Sequence, residues 1–593
     1  MLTLKNIQVK GFRSLSEIDL PLQELSVFIG KNNAGKSNIL LAIKFLLEAS
    51  VKEISGEDFY KSETEQAEKI ELIGDFIVPS EYMVLCDEKH RTRIQNCIVD
   101  DVLRVRRIIS RGDGEKVKIG SMEFWQPEKG EYSTVTGIDA AFKQFLPEVI
   151  FIEAFKDPSE ESQAKGTAAL GRILKQIVEQ ASDKINDDVM AAISVAAKKF
   201  NRIILDGMES DDRPDELKRV ESRIKSHIQD VFSGSDVRLK FNLPNVSDLI
   251  STATVELKDR GPWTAPDGKG QGFQRILYVA LLQTLADELR DDTVAVNRPF
   301  ILLYEEPEAF LHPALQREVG NIIESISKTN QVIVASHSPI LVNPSRLENI
   351  IIARQELAPN PHKTNFYRPD SSLFEHDDDR HMISLLKLNN SSDFLFSDFI
   401  LVVEGISDRF LVESSWDKVR GKFDKRFETI SIIESGRKDV VPVWIGYLAK
   451  MGFPVKGCVD LDFLWNGSGK ILTDDVVVSK FCDKFWEMAE IDGYCELDKD
   501  GKPKHSLRNG NKKDVFKFII GDKPDKELNK WAKHMFVELR KKNIWVLTQG
   551  EIESYFGLSP TPKTQYVSVG QEIRSGKVEV PDEIEKILAW LFE

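Results

Sequence analysis

No stretch of about 18 consecutive apolar residues occurs in the 593-residue chain, so no transmembrane helix is expected and no membrane partner. The opening residues, Met1-Leu2-Thr3-Leu4-Lys5-Asn6, lack the apolar block of a secretion signal and alternate like a strand. None of the five cysteines sits in a CxxC pair. That argues against a thiolate zinc module and fits scattered free thiols in a reducing cytoplasm, the expected location. Positive charge is also short: the net charge is −15. A uniformly basic surface is therefore excluded, whereas nucleic-acid binding through a local positive groove is not. No internal repeat and no long low-complexity tract appear. At this length a single core is not expected, and two to four domains are.

Against that ordinary background two motifs stand out. The first is Gly30-Lys31-Asn32-Asn33-Ala34-Gly35-Lys36-Ser37, a GxxxxGK[ST] phosphate loop. It is preceded by the apolar strand Leu25-Ser26-Val27-Phe28-Ile29 and followed by a helix over Asn38 to Glu48. Strand, glycine loop and helix is the context this motif needs. Backbone N–H groups around Gly30, Asn32, Asn33 and Gly35 wrap phosphates at a helix N-terminus. Lys36 adds a charge for the β- and γ-phosphates, and the Ser37 hydroxyl reaches Mg²⁺. Further on, Leu302-Leu303-Tyr304-Glu305-Glu306-Pro307 is an apolar strand ending in two acids. Such a strand delivers one carboxylate, Glu305, to the magnesium shell and a second, Glu306, to the attacking water. Asp267 to Arg275 is a glycine-rich turn entering a helix, and His337 follows the buried strand Gln331 to Ser336.

The second motif is a set of carboxylates more than 350 residues away. Glu404 ends the buried strand Phe399 to Val403, and Asp408 lies one turn later at a helix start. Asp460 and Asp462 end another strand, with a spacing of two that is expected to point both the same way. Glu551 and Glu553 repeat that spacing after a third strand, Ile544 to Leu547. Acids gathered at one sheet edge repel each other, and Mg²⁺ or Mn²⁺ relieves the repulsion through oxygen ligands. Glu404, Asp408, Asp460, Asp462 and Glu553 are the expected ligands, with Glu551 assisting. Two ions about 4 Å apart activate a water and stabilise the leaving oxygen of a phosphodiester.

The fold expected is α/β. Residues 1–155 and 246–355 form an ATPase, interrupted by a helical insertion at 156–245. Apolar residues there recur at helical spacing, and the segment reads as a dimerisation arm or as helices covering the ATPase sheet. Residues 356–395, polar and proline-bearing, are the expected linker, and the acidic run Asp377-Asp378-Asp379 reads as solvated surface. Residues 396–593 form a second α/β domain with a lysine-rich helical insertion at about 500–543, whose residues 501–543 hold 13 basic and 5 acidic residues. Lys512, Lys513, Lys517, Lys541 and Lys542 are candidates for steering DNA. Phe516, Phe518, Trp531 and Phe536 are expected as core of the insertion. Lys577, in the last segment, is a weaker candidate for leaving-group stabilisation.

In order and spacing the first set resembles the ABC-type ATPases of the SMC and RecF group. The resemblance implies that Gly270 and Gly272 contact nucleotide held by an opposite subunit, that His337 senses the γ-phosphate, and that Arg13 of Gly11-Phe12-Arg13 lies near the nucleotide. Many such ATPases carry Asp at the Glu305 position, a departure that still lets Glu reach magnesium and leaves slow hydrolysis as one expectation. The carboxylate set resembles the Toprim fold. Together the two resemble the OLD (overcoming lysogenisation defect) family of nucleases, with Glu305-Glu306-Pro307-Glu308 and Leu311-His312-Pro313 typical of it. That resemblance implies a C-terminal Toprim domain after an ABC-type ATPase. The activity it implies is that of an ATP-regulated DNA endonuclease or nickase in phage defence. It also implies homodimers or larger assemblies, acting alone, beside a helicase-like partner as in Gabija systems, or as retron effectors. The alternative is a RecF-like DNA-binding ATPase whose Toprim domain only recognises DNA.

Overall fold

Leu25–Ile29 is buried over four of its five residues because it runs through the middle of a six-stranded sheet. In this computed structural model the described residues are 2–154, 203–241, 253–291, 299–356, 362–368 and 392–593, apart from short stretches within them. They fall into two units, 1–366 and 367–593.

The first unit is built on two sheets. One has the strand order Leu15–Pro21, Thr3–Phe12, Lys69–Ile77, Val102–Arg111, Glu123–Gln126, Glu131–Ser133 and is antiparallel throughout. Lys69–Ile77 alternates buried and less buried positions, as a sheet with one covered face requires. The other sheet runs Glu148–Ile152, Phe300–Glu305, Gln331–Ser336, Leu25–Ile29, Ile350–Gln355, Thr364–Tyr367. Its first five strands pair in parallel, and Phe300–Glu305 and Gln331–Ser336 are apolar and buried nearly end to end. Helix Lys36–Leu47 joins the sheets. Its Ile39, Leu40, Ile43 and Leu46 share one core with Leu4, Ile70 and Phe76 of the antiparallel sheet and Phe28, Ile301 and Ile333 of the parallel one.

Most of the expected arm at 156–245 lies outside the described residues. Its described part holds helix Asp215–Gln229, a short strand pair and the strand Ser235–Phe241, which pairs with Ala253–Asp259. Arg213 and Glu221 form a buried ion pair there at 2.6 Å, and Glu221 also accepts the Leu239 N–H. Thr364–Tyr367, inside the stretch expected to be linker, is an edge strand of the parallel sheet. The acidic run 377–379 lies outside the described residues.

The second unit carries a four-stranded parallel sheet in the order Ile430–Glu434, Phe399–Val403, Val455–Val459, Ile544–Val546. Because all four run the same way, their C-terminal ends share one edge. Helices Ile406–Val419, Gln565–Ser575 and Asp582–Trp590 contribute Leu411, Trp416, Ile573, Ile587 and Leu588 to the core on one face. Helix Val441–Lys450 lies against Gly457, where a Cβ would meet Val441 and Ile445 at 2.7 Å. Between the third and fourth strands the insertion is larger than expected: helix Val476–Ile491 precedes the hairpin Cys495–Leu497/Pro503–Leu507 and helices Lys512–Ile520 and Lys526–Lys541. Phe516 and Phe518 are buried in it, while Trp531 and Phe536 are half-buried.

Candidate carboxylate centre and phosphate loop

Glu404 and Asp460 each directly follow the end of adjacent parallel strands. The backbone N–H of Asp460 donates to Glu404 Oε1 at 2.8 Å. One carboxylate oxygen from each of Glu404, Asp460 and Asp462 falls within 4.8 Å of the others. The route differs from the expected strand alternation. The strand ends at Val459; Asp460 caps a 3-10 turn, Leu461–Leu464, and Asp462 lies inside that turn. The turn curls Asp462 back toward Asp460, so the two acids converge by curvature rather than by pleat.

Asp408 is the third residue of helix Ile406–Val419, and its Oδ2 accepts the Gly405 N–H at 2.9 Å. Glu551 caps the short helix Ile552–Tyr555, with Glu553 in its first turn. Burial, with Asp462 beside it, lifts the Glu404 carboxyl to about 7. Burial and Glu553 lift Asp408 to about 8. Burial and Glu404 push Asp460 well above the carboxylate range. Crowded acids in a poorly solvated site resist ionisation together.

Two lysines answer that charge. Lys512 Nζ lies 2.7 Å from Glu551 Oε1, 3.0 Å from Asp462 Oδ2 and 3.3 Å from Asp460 Oδ2. Burial alone lowers its pKa, but Asp460, Asp462 and Glu551 more than reverse this and raise it. Lys438 Nζ sits 2.6 Å from the same Asp462 Oδ2. The other oxygen, Asp462 Oδ1, is buried without a hydrogen-bond partner. A hard, oxygen-only donor set with an unfilled buried oxygen fits a divalent cation.

Of the expected DNA-steering lysines, Lys512 instead faces the carboxylates. Lys517 contacts Tyr494 Oη at 2.8 Å and Lys541 contacts Glu538 at 2.7 Å. Lys513, Lys542 and Lys577 are exposed. Lys438 was not anticipated, and neither was Glu583. The Glu583 carboxylate accepts from Trp545 Nε1 at 2.9 Å, Thr548 N at 3.1 Å, Tyr555 Oη at 2.6 Å and the Thr548 hydroxyl. It thereby ties down the turn that carries Glu551 and Glu553.

In the first unit the phosphate loop ends at Gly35, the N-cap of helix Lys36–Leu47. Gly30 and Gly35 have φ of 147° and 90°. A Cβ there would strike Ala353 O at 2.3 Å or Thr364 Oγ1 at 2.2 Å, so only glycine fits. Asn33 also takes a left-handed φ of 63°. Asn32, Asn33 and Ser37 are exposed at the loop rim.

Lys36 is buried and donates to Gly30 O at 2.8 Å and Lys31 O at 2.7 Å, with His337 Nδ1 at 3.4 Å. Burial pulls its ammonium down to about 8. Burial, then Lys36, pulls His337 down to about 4, so the ring is neutral at pH 7. Glu305 is raised mainly by burial, opposed by a hydrogen bond from Ser37. Glu306 lies 3.8 Å from His337 Nε2. Glu306 and Phe310 both adopt left-handed backbone, φ 45° and 62°, a strained conformation for such residues. Arg13 binds Asp58 at 2.7 Å and Asn38 at 3.3 Å, beside the start of the loop's helix. Gly270 and Gly272 flank the start of helix Gln271–Asp291; Gly272 lies against Phe310 O, and nothing stands within 4 Å of a Cβ at Gly270.

A family model described as "AAA ATPase domain" matches residues 2–342. The chain belongs to the AAA ATPase domain family. Beyond the AAA ATPase domain, residues 395–462 match "Overcoming lysogenization defect protein-like, TOPRIM domain". That span begins just before the Phe399–Val403 strand and ends at Asp462. The two domains imply nucleotide binding and divalent-metal use. Among relatives, the Old nuclease of Escherichia phage P2 is 24% identical over 610 aligned positions, covering 99% of each chain. The OLD nuclease of Thermus scotoductus is 21% identical over 76% of this chain and 80% of its own. Endonuclease GajA of Bacillus cereus is 24% identical over 71% of this chain and 68% of its own. An AAA ATPase domain followed by an OLD-like TOPRIM domain is the α/β organisation expected from the sequence.

Proposed function

We propose that the chain is a divalent-metal-dependent DNA endonuclease or nickase governed by ATP, acting in defence against phage. The observation that carries the reading is the convergence of Glu404, Asp460 and Asp462 oxygens within 4.8 Å at the C-terminal edge of a parallel sheet. Relatives with nuclease names spanning both domains support it.

In this reading Glu404, Asp460 and Asp462 hold the metal, and Asp408 and Glu553 complete the set, with Glu551 beside them. Mg²⁺ or Mn²⁺ held there would supply Lewis acidity to a phosphodiester and lower the pKa of a bound water. Asp408 is steadied by the Gly405 N–H and Glu404 by the Asp460 N–H, so both carboxylates are oriented before any ligand arrives. In the ATPase domain, Lys36 and the loop N–H groups bind the phosphates. Ser37 and Glu305 serve the magnesium. Glu306 orients the attacking water, and neutral His337 reads the γ-phosphate. Asn32, Asn33 and Arg13 line the approach. Gly270, open on its outer side, and Gly272 meet nucleotide on a second copy, making a homodimer the smallest active assembly. A helicase-like or retron partner would act on that assembly.

The test is incubation of supercoiled plasmid with purified protein in Mg²⁺ or Mn²⁺, with and without ATP, beside Lys36→Ala. Metal-dependent nicking that changes with ATP in the native protein, and no longer responds in Lys36→Ala, is expected. DNA-stimulated ATP turnover with no strand cleavage in either metal would overturn the nuclease reading in favour of a DNA-binding ATPase.

A further inference from the structure

Two ammonium groups share one carboxylate oxygen at the carboxylate centre. Lys438 and Lys512 reach Asp462 Oδ2 at 2.6 and 3.0 Å. Lys512 goes further and also occupies Asp460 Oδ2 and Glu551 Oε1. An oxygen that already accepts a charge-assisted hydrogen bond from Lys438 and is ion-paired with Lys512 has little left to offer an ion. A cation entering beside Asp460 and Asp462 must therefore push one ammonium away.

The two lysines are not equivalent. The Lys438 side chain is 19% exposed and touches one carboxylate; that of Lys512 is 34% exposed and touches three. Lys512 is the first residue of helix Lys512–Ile520, outside the buried Val515, Phe516, Phe518 and Ile519 face that anchors the helix, so moving its partly exposed side chain leaves that face in place. Meanwhile Asp462, only 7% exposed, keeps its Oδ1 buried and without a hydrogen-bond partner. The lysines satisfy one oxygen of this carboxylate and leave the other for a ligand of a different kind.

We infer that the Lys512 ammonium is a tethered counter-cation that competes with the divalent metal for Asp460, Asp462 and Glu551, and so sets how much free metal the site needs before it loads. The inference rests on the reading of this centre as a metal site. Lys512 stabilises the metal-free carboxylates by relieving their repulsion, and the same contacts oppose metal entry. Removing it costs metal-free stability and gains metal affinity, a pair of opposite effects that a merely structural lysine does not produce.

The test is Mn²⁺ binding to the nucleotide-free full chain, read by electron paramagnetic resonance of free Mn²⁺ and by melting temperature with EDTA or Mn²⁺. The proteins compared are the native chain, Lys512→Met, Lys512→Arg, Lys438→Met and Glu404→Ala. Lys512→Met is expected to melt lower in EDTA yet bind Mn²⁺ at least about ten-fold more tightly, equivalent to about 1.4 kcal/mol. Lys512→Arg keeps the charge and is expected to stay within about three-fold of the native affinity, and Lys438→Met to tighten binding less than Lys512→Met. If Lys512→Met does not fold, Lys512→Gln takes its place: native or weaker Mn²⁺ affinity there overturns the proposal, and tighter binding supports it. Unchanged or weaker Mn²⁺ binding by Lys512→Met, with Glu404→Ala defective, would overturn the proposal alone. Equal Mn²⁺ binding by the native chain and Glu404→Ala would overturn the metal reading itself.

Discussion

The Glu308 carboxylate accepts the backbone N–H of His337 at 2.6 Å and the Ser336 hydroxyl at 2.9 Å through the same oxygen. It thereby locks the end of one buried strand of the ATPase sheet to the loop that follows its neighbour. That loop carries Glu306 in a left-handed conformation opposite the His337 ring.

Glu308→Ala is therefore expected to unfasten His337 from the Glu305–Glu306 loop. Loss of hydrogen bonds to a partly buried carboxylate acceptor costs about 1.5 kcal/mol. ATP turnover should fall about 10-fold or more, with nucleotide affinity much less affected, because Lys36 and the loop glycines are untouched. Glu308→Gln retains an acceptor and should recover most of the turnover. Steady-state hydrolysis and fluorescent-nucleotide titration on both variants check this.

The carboxylate centre has a pH signature. Glu404 rises from 4.5 to about 7 and Asp408 from 3.8 to about 8, each chiefly through burial. A raised carboxyl pKa means that the folded chain holds protons the unfolded chain has released. The metal-free protein thus loses stability from these groups as pH rises from about 4 to about 8. A divalent ion bound at these carboxylates would replace those protons. The rise in melting temperature caused by Mg²⁺ should be small near pH 5 and grow toward pH 8. Differential scanning calorimetry across that range, with Glu404→Gln losing most of the trend, is the check.

Glu583, on the last helix, holds Trp545, Thr548 and Tyr555 together and so positions the turn bearing Glu551 and Glu553 without touching either. Glu583→Ala should lower metal affinity and cleavage by about 10–100-fold, the usual cost of losing an outer-shell support. Glu583→Gln should restore part of both. Mn²⁺ affinity measured beside cleavage separates this from general unfolding.

The phosphate loop was legible because its chemistry is local: strand, glycines, lysine and helix are adjacent in sequence, and positive φ at Gly30 and Gly35 follows from the turn itself. The buried strands behind Glu404 and Asp460 were legible for a similar reason, as short β-branched runs. What differed was the route. Asp460 and Asp462 read as one face of a strand, but the strand stops a residue earlier, and alternation has no force in a 3-10 turn. Lys512 read as a DNA-steering residue because about 50 positions separate it from Asp462, and composition alone does not reveal which lysine of a basic segment folds back. Lys438 carried a fainter signal: it follows the strand ending at Glu434, beside the strand ending at Val403, and so sits at the same sheet edge. Glu308 stood in view inside its motif, but its role depends on a partner loop 29 residues away.

The most direct measurement of the central claim is strand cleavage by Glu404→Gln beside the native chain, in Mg²⁺ and Mn²⁺, with melting temperature and nucleotide binding measured on the same samples. The substitution removes one ligand charge and keeps the shape of the side chain. A loss of cleavage of at least about 100-fold, with nucleotide binding intact, is what the carboxylate centre predicts. Cleavage at the native rate by a folded Glu404→Gln would contradict it and move the chemistry elsewhere in the chain.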